Sequence, residues 1–320
     1  MKKNKSYLSV VDGYIRICEE KILGNGEDAD WFSINETAAM VSVFDGAGGS
    51  GAKRYSRLEN KTGAFLGSRA LAGATKNWFT QICEEKLLQS SEVNDLLKML
   101  FIRALDTCKR EGGEQVSGVK LKSSLSKDFP STAAIAVCSP RKNWTTASFY
   151  WAGDSRGYIL DKDGLAQITK DDLEDIDAME NLSADGVMTN IVTSSKDFMI
   201  HDKTVKLTEP SIVFTATDGC FGYLSTPMEF EYVLLETLLN ADSLFEWQST
   251  LADKLGQYAG DDYTLDAVII GYGSFANLKN AFINRANYIY EYYIKILPEL
   301  SSVEKTSLWQ SYKDNYYRFE

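Results

Sequence analysis

Histidine is nearly missing from this 320-residue chain, with His201 its single example. A Ser-His-Asp hydrolase would have to build its base from that residue, and no Gly-x-Ser-x-Gly elbow accompanies it, so that class is excluded. Cysteine is also scarce. Cys18, Cys83, Cys108, Cys138 and Cys220 are odd in number, scattered and never in a Cys-x-x-Cys pair, which excludes a disulfide framework and a structural zinc site. A reducing cytoplasm is the simplest expected home. Positive charge is short as well: 34 Lys and Arg face 45 Asp and Glu, a net charge of -11. A field of that sign repels polyphosphate and anionic lipid, so no nucleic-acid or membrane partner is expected. No apolar run approaches the roughly 20 residues of a membrane span. The apolar stretch Tyr7 to Val11, behind Lys2, Lys3 and Lys5, is too short for a signal-peptide core. Gly-rich phosphate loops of the dinucleotide or Walker type are absent too.

The chain is 44% hydrophobic, enough for a sizeable core in one large domain or two small ones. Strand patterns appear at Tyr14 to Cys18, Asp30 to Ile34 and Ala39 to Phe44. Two amphipathic helices follow between Lys61 and Arg110, the second capped by Ser90 or Ser91, and then an exposed loop from Glu111 to Lys127. Strands return at Thr132 to Val137, Thr146 to Trp151, Gly157 to Leu160 and Leu165 to Ile168, the last two joined by an Asp161-Lys162-Asp163-Gly164 turn. Lys170 to Asp202 reads as acidic and irregular. Strands at Ile212 to Thr217 and Leu265 to Gly271 flank a helical region, Glu229 to Leu255. Beyond Ser274 a helix places Leu278, Phe282, Ile289, Tyr292, Tyr293 and Ile296 on one face, Pro298 breaks it, and a second helical segment runs to the terminus. Strands and helices alternate in blocks, which predicts an α+β layered architecture over a doubly wound parallel sheet.

What the apolar strands end in is the chemical signal. Val41 to Phe44 stops at Asp45-Gly46, Ile212 to Thr217 at Asp218-Gly219, and Tyr150 to Ala152 at Gly153-Asp154. Asp261-Asp262 enters the Leu265 strand from its other end, and Glu27-Asp28 precedes the strand holding Trp31 and Phe32. Antiparallel neighbours share a rim, so these acids are expected to converge there and to repel one another unless cations neutralise them. Taken singly, each Asp-Gly is only a turn. Oxygen donors without His or Cys favour Mg²⁺ or Mn²⁺ over zinc or copper.

These segments resemble, in order, the motifs of the type 2C metal-dependent protein serine/threonine phosphatases (PPM type). They are Glu27-Asp28-Ala29, Val43-Phe44-Asp45-Gly46-Ala47-Gly48-Gly49, Ser131-Thr132-Ala133, Ala152-Gly153-Asp154-Ser155-Arg156, Gln167 to Asp171, Ala216-Thr217-Asp218-Gly219, and Asp261-Asp262-Tyr263-Thr264. The resemblance spans about residues 8–273. It implies a four-layer α-β-β-α sandwich of two mainly antiparallel sheets flanked by helices, making a phosphatase domain of residues 1–273. Residues 274–320 form a C-terminal helical extension packed on it. It further implies two Mn²⁺ or Mg²⁺ ions, possibly a third, and a phosphoprotein substrate dephosphorylated at Ser or Thr by a hydroxide bridging the ions, opposite a cognate Ser/Thr kinase.

By the same resemblance Asp45 is the bridging ligand, Gly46 a carbonyl ligand, Asp218 and Asp261 ligands of one ion and Glu27 of the other. Asp28 acts directly or through water, and Asp154 serves a third, weaker site. Asp45, Asp218 and Asp261 are thus the expected catalytic residues. The family commonly has an arginine that grips phosphate four positions before the Glu; here it is Leu23, with Lys21 as the nearby cation. The histidine proposed as general acid is Ala47, and Asp262 replaces a usual Asn. Those losses leave open an alternative, a phosphatase-like binding or regulatory module with weak or no turnover. The acidic run Asp171, Asp172, Glu174, Asp175, Asp177 and Glu180 is either a solvated face or a substrate-selecting flap. The C-terminal aromatics dock on the body or on a partner, and the oligomeric state is open.

Overall fold

Runs of β-branched and aromatic residues punctuated by Gly, Asn and Asp form the strands of two antiparallel sheets. The computed structural model describes residues 11–88, 90–113, 127–174, 177–179 and 187–320. Its strands are β1 (Val11–Glu19), β2 (Ala29–Asp30), β3 (Ser33–Ile34), β4 (Ala39–Phe44), β5 (Arg54–Tyr55), β6 (Lys61–Thr62), β7 (Ala133–Pro140), β8 (Thr145–Ala152), β9 (Arg156–Asp161), β10 (Gly164–Gln167), β11 (His201–Leu207), β12 (Ser211–Ala216) and β13 (Tyr263–Ile270). The α-helices are α1 (Gly48–Gly51), α2 (Gly63–Glu84), α3 (Val93–Gly112), α4 (Pro227–Asn240), α5 (Leu244–Gly256), α6 (Phe275–Ile289) and α7 (Ser302–Tyr316). One sheet has the order β1-β13-β12-β9-β10, the other β11-β8-β7-β4-β2 with β3 also on β4.

The sheets face each other across Val41, Ala136, Phe149, Ile159, Val213 and Val268. On the outer face of the β4 sheet, Phe44, Ile135 and Tyr150 meet Leu71 and Trp78 of α2 and Leu97 and Phe101 of α3. Outside the other sheet, Ile17, Phe214 and Ala267 are covered by Leu235, Trp247, Phe282 and Trp309 from α4, α5, α6 and α7. The expected α-β-β-α sandwich is therefore the architecture found. Among the described residues, no helix is long and apolar enough to cross a membrane.

Several local expectations are corrected. Asp30 to Ile34 is not one strand but two short pairings, β2 and β3, parted at Trp31 and Phe32, whose rings lie against Lys76 and Tyr14. Neither Ser90 nor Ser91 caps α3: its N-cap is Glu92, and Ser90 Oγ accepts from the Glu92 N–H just outside the helix. The stretch expected to be irregular ends in a strand, β11, which escapes a hydrophobic pattern because it pairs only with β8 and buries only Val205 and Leu207. The Glu229 to Leu255 region is two helices, α4 and α5, the second begun by Ser243. Of the expected 111–127 loop, residues 114–126 lie outside the described residues.

The tail's buried face is also redrawn. A π turn at Tyr290–Ile294, closed by Lys295 N–H on the Tyr290 carbonyl, inserts one residue into the helical period. Burial then runs Leu278, Phe282, Ala286, Ile289, Tyr293, Leu297, while Tyr292, 64% exposed, and Ile296 turn outward. Trp309, Tyr312 and Tyr316 of α7 are buried in the same cluster. Glu231 of α4, with 0% exposure, accepts a fork from Arg285 Nε and Nη2, at 2.6 and 2.9 Å, and a hydrogen bond from the Tyr312 hydroxyl. Each buried side chain of this kind contributes roughly 1.5–3 kcal/mol. Stranding the Glu231 charge costs about 3–5 kcal/mol more. Truncation after Gly273 should accordingly give insoluble or strongly destabilised protein, and Arg285→Met a clearly lowered melting temperature; equal melting temperatures for truncated and full-length chains would refute this account.

Candidate metal centre

Antiparallel pairing decides which strand ends meet. β12 ends where β13 begins, so Asp218-Gly219 lies on Asp261-Asp262, close enough that a Cβ on Gly219 would fall 1.9 Å from the Asp262 carbonyl oxygen. Thr217 and Thr264 lock this turn pair: Thr217 N–H donates to the Thr264 carbonyl and Thr264 N–H to Thr217 Oγ1, both at 2.9 Å. In the other sheet β4 ends where β7 begins and β8 ends beside it, which brings Asp45 and Asp154 to that rim. Thr132 joins them. Its Oγ1 accepts from Asp45 N–H at 3.1 Å and shares a 2.6 Å hydrogen bond with Ser155, and its own N–H donates to the Asp45 carbonyl at 2.8 Å. Gly153 has φ +97°, a conformation that favours glycine and lets the chain pass Thr132.

Asp28 stitches the sheets together. It follows from the chain entering β2, and its Oδ2 accepts from Thr217 and Thr264 hydroxyls of the opposite sheet, both at 2.8 Å. Glu27 accepts from the hydroxyl of Thr62, the N-cap of α2, and a Cβ on Gly48 would collide with that carboxylate. A Cβ on Gly46 would stand 2.7 Å from the Ala64 and Glu27 carbonyl oxygens, so only glycine fits there. Asp262, expected as one more acid beside the cluster, adds its charge to Glu27 and Asp28 and also ties down the turn before Glu27 through the N–H groups of Lys21 and Glu27, at 2.8 and 2.7 Å. Arg69 holds the same turn from below, donating to the Gly26 and Glu27 carbonyls at 3.1 and 3.0 Å. Thr132, Thr217 and Thr264, quoted above as motif members without a role, are positioning residues, and Thr62 and Arg69 join them as positions that sequence reasoning did not single out.

Electrostatics confirms the crowding. Burial, then the charges of Asp28, Asp218, Asp154 and Asp261, hold the Asp45 carboxyl well above the carboxylate range. Burial and the Asp218 charge push Asp28 up to about 7 against the pull of its two threonines. Asp154 rises to about 8, by burial and the Asp218 and Asp171 charges. Asp218 and Glu27 are raised as well, burial again first and neighbouring acids after it. One Asp154 oxygen, Oδ1, is buried without a hydrogen-bond partner.

Buried, mutually repelling oxygen donors with an orphaned carboxylate oxygen fit hard divalent cations. Among the described residues, no three Asp, Glu, His or Cys side chains form a ready coordination set. Two of the acids face threonine hydroxyls. The arrangement is a ring of donors around a rim.

The remaining expected positions are placed as follows. Leu23 is 94% exposed and Lys21 Nζ donates to the Ala259 carbonyl. His201 is a support: Nε2 lies 2.8 Å from Asp172 Oδ1. Cys220 is buried, and burial, with Asp28 and Asp218 nearby, raises its thiol pKa well above normal, which suits packing. In the acidic run Asp171, Asp172 and Asp177 are hydrogen-bonded within the protein, Glu174 is exposed, and Asp175 and Glu180 lie outside the described residues.

No protein-family profile matches the chain, and no curated protein matches it in sequence. Solved structures do match. The fold is that of bacterial serine/threonine phosphatases. The Mycobacterium tuberculosis phosphatase PstP/Ppp aligns at 15% identity with a TM-score of 0.52, over 81% of this chain and 98% of that one. For phosphatase Stp1 from Staphylococcus aureus the figures are 15%, 0.57, 80% and 94%. The catalytic domain of PstP in complex with two manganese ions gives 14%, 0.51, 82% and 99%.

A pH dependence follows. These acids hold protons in the folded chain that the unfolded chain has released, between the ordinary carboxylate pKa of about 4 and about 8. Stability of the metal-free protein therefore falls as pH rises through that window. Thermal melts in chelator should show a lower melting temperature at about pH 8 than at about pH 5, with Mn²⁺ restoring more of it at the higher pH. Asp45→Asn should raise the chelated melting temperature at the higher pH; a flat profile would contradict the crowding.

Proposed function

We propose that the chain is a type 2C, metal-dependent protein phosphatase that hydrolyses phosphoserine and phosphothreonine. One observation carries the reading: Glu27, Asp28, Asp45, Asp154 and Asp218 are each raised by burial and by one another's or Asp261's charge, and the pull of Arg156 on Asp154 and Asp218 and of Arg54 on Glu27 does not offset it. The fold's solved examples are serine/threonine phosphatases, and one of them holds two manganese ions. In this reading Asp45 would be a ligand shared by two Mn²⁺ or Mg²⁺ ions. The Gly46 carbonyl, Asp218 and Asp261 would complete one site and Glu27 the other, with Asp28 direct or through water and Asp154 toward a third ion. Such ions supply a hydroxide at neutral pH and polarise a phosphoryl group.

The chain's own residues set the rest. Thr217 and Thr264 orient Asp28, Thr62 orients Glu27, and Thr132 fixes the backbone of Asp45. Leu23 brings no guanidinium to the substrate phosphate, and Lys21 is spent on Ala259. Ala47 has no proton to give, so protonation of the leaving alkoxide would fall to water or a bound ion. A phosphoprotein substrate, a cognate Ser/Thr kinase and a cytoplasmic setting belong to the same proposal. Leu23 and Ala47 are consistent with a second reading, a phosphoprotein-binding module with little turnover, but the retained carboxylates favour the enzyme.

Hydrolysis of p-nitrophenyl phosphate with and without Mn²⁺ separates the two. The enzyme should turn over only with metal, and Asp45→Asn should lose more than the roughly 10–100-fold that even an outer partner of a metal ligand costs. Unaltered Mn²⁺ stoichiometry by calorimetry in that variant would sink the assignment. Leu23→Arg should lower the Michaelis constant about tenfold, the worth of one charge-assisted hydrogen bond; no change would mean that another cation already grips the phosphate.

A further inference from the structure

The turn that carries Asp154 is held from outside the rim. Gly153 N–H donates to Asp172 Oδ2 at 2.9 Å, and Asp172 N–H returns a bond to the Gly153 carbonyl at 3.0 Å. Two residues beyond Asp154, Arg156 grips Asp171 through Nε, at 3.0 and 3.1 Å, and Nη2, at 2.6 Å. This ion pair is sealed, with side-chain exposures of 2% and 5%. Phe221 covers one face of the guanidinium at 4.1 Å. Tyr158, which accepts from Arg156 Nη1 at 3.4 Å, is in turn met by the Tyr316 hydroxyl of α7, also at 3.4 Å.

The other end of the same acidic stretch is held by α7 and the residue after it. Trp309 Nε1 and Lys313 Nζ both donate to Asp177 Oδ2, at 2.9 and 3.0 Å, and Ala178 N–H donates to the Tyr317 hydroxyl at 3.0 Å. Asn315 and Arg318 fasten the helix to the β9–β10 turn, through the Asp163 carbonyl and Asp161, each at 2.9 Å. Of the described residues of the acidic stretch, Asp171 and Asp172 are thus gripped by the Asp154 turn, and Asp177 and Ala178 by the C-terminal helix and Tyr317. A buried ion pair keeps its strength only while water stays out, and α7 supplies part of the seal. A metal ligand also tolerates little displacement.

We propose that α7 positions the metal centre: Trp309, Lys313 and Tyr317 are positioning residues that hold Asp171, Asp172 and Asp177 in place and, through Arg156 and Gly153, aim the Asp154 carboxylate. This rests on the reading of Asp154 as a metal ligand. The full-length W309F/K313M/Y317F variant keeps the apolar bulk and removes the three polar ties.

Amide exchange by NMR at Asp172 and Ala178 reads the grip directly, and Mn²⁺ calorimetry reads its consequence. Exchange should quicken about tenfold, as for loss of one charge-assisted hydrogen bond. Mn²⁺ affinity should fall about tenfold, the low end for loss of a partner behind a metal ligand. In an Asp154→Asn background the same three changes should leave Mn²⁺ affinity where Asp154→Asn alone puts it, and Lys313→Arg should stay close to wild type. A folded triple variant with unaltered exchange and an unaltered isotherm would overturn the proposal, as would an equal further loss in the Asp154→Asn background. Absence of Mn²⁺ binding by the wild-type chain would instead overturn the metal reading, with amide exchange still deciding whether α7 holds the turn.

Discussion

Asp28 is the carboxylate on which the rim depends. It is the side chain that bonds a residue of one sheet's edge to the strand ends of the other, through Thr217 and Thr264. Those two threonines also close the turn pair that brings Asp218 beside Asp261. Removing the stitch would let two sets of acids that repel each other move apart. The hydroxyls therefore do more than satisfy a buried oxygen: they fix distances between groups whose own interaction is unfavourable.

Elsewhere the chain handles buried charge differently. Glu231 has Arg285 and Tyr312, and Asp171 has Arg156, each in a forked geometry that matches carboxylate to guanidinium. Asp266, in mid-strand between the sheets, is wholly buried; burial foremost, then Asp30, raises its carboxyl well above normal, and Arg16 Nε stands only 3.7 Å away. It is held neutral. Among the described residues no guanidinium forks Asp45, Asp154, Asp218 or Asp261, Arg156 reaching Asp154 and Asp218 only through its field, and the first three are only partly covered while Asp261 is open. Unpaired charge that stays reachable from solvent is what a cation site requires and what a structural pair avoids.

What the sequence revealed and concealed divides along the same physical line. Strong periodicity and strand-end acids were legible because each is a local pattern: β4 lies at Ala39 to Phe44 as read, and the Asp-Gly stations reach one rim because antiparallel order leaves them no other place. Edge strand β11 was hidden because one-sided pairing asks for only two apolar residues. The outward turn of Tyr292 was hidden because a π turn shifts the helical period without any Gly or Pro to mark it. The two-ended grip on the acidic stretch was hidden because its partners, Asp177 and Lys313, stand 136 residues apart in the chain. Asp262 was legible as one more acid beside the cluster, and its two backbone partners show that it shapes the turn before Glu27 as well.

The two departures at Leu23 and Ala47 sit where they cost the frame nothing. Leu23 stands almost wholly in solvent, and Ala47 precedes the short helix α1, with its N–H on the Pro130 carbonyl. Neither side chain supports a strand end, a threonine latch or a buried ion pair. The ring of acids, by contrast, is fastened on every side by backbone approach at Gly46 and Gly219 that no larger residue could allow. On the proposed reading, gripping a phosphate and protonating a leaving group would therefore be separable from holding cations, because Leu23 and Ala47 lie outside the threonine and glycine contacts that fix the acids.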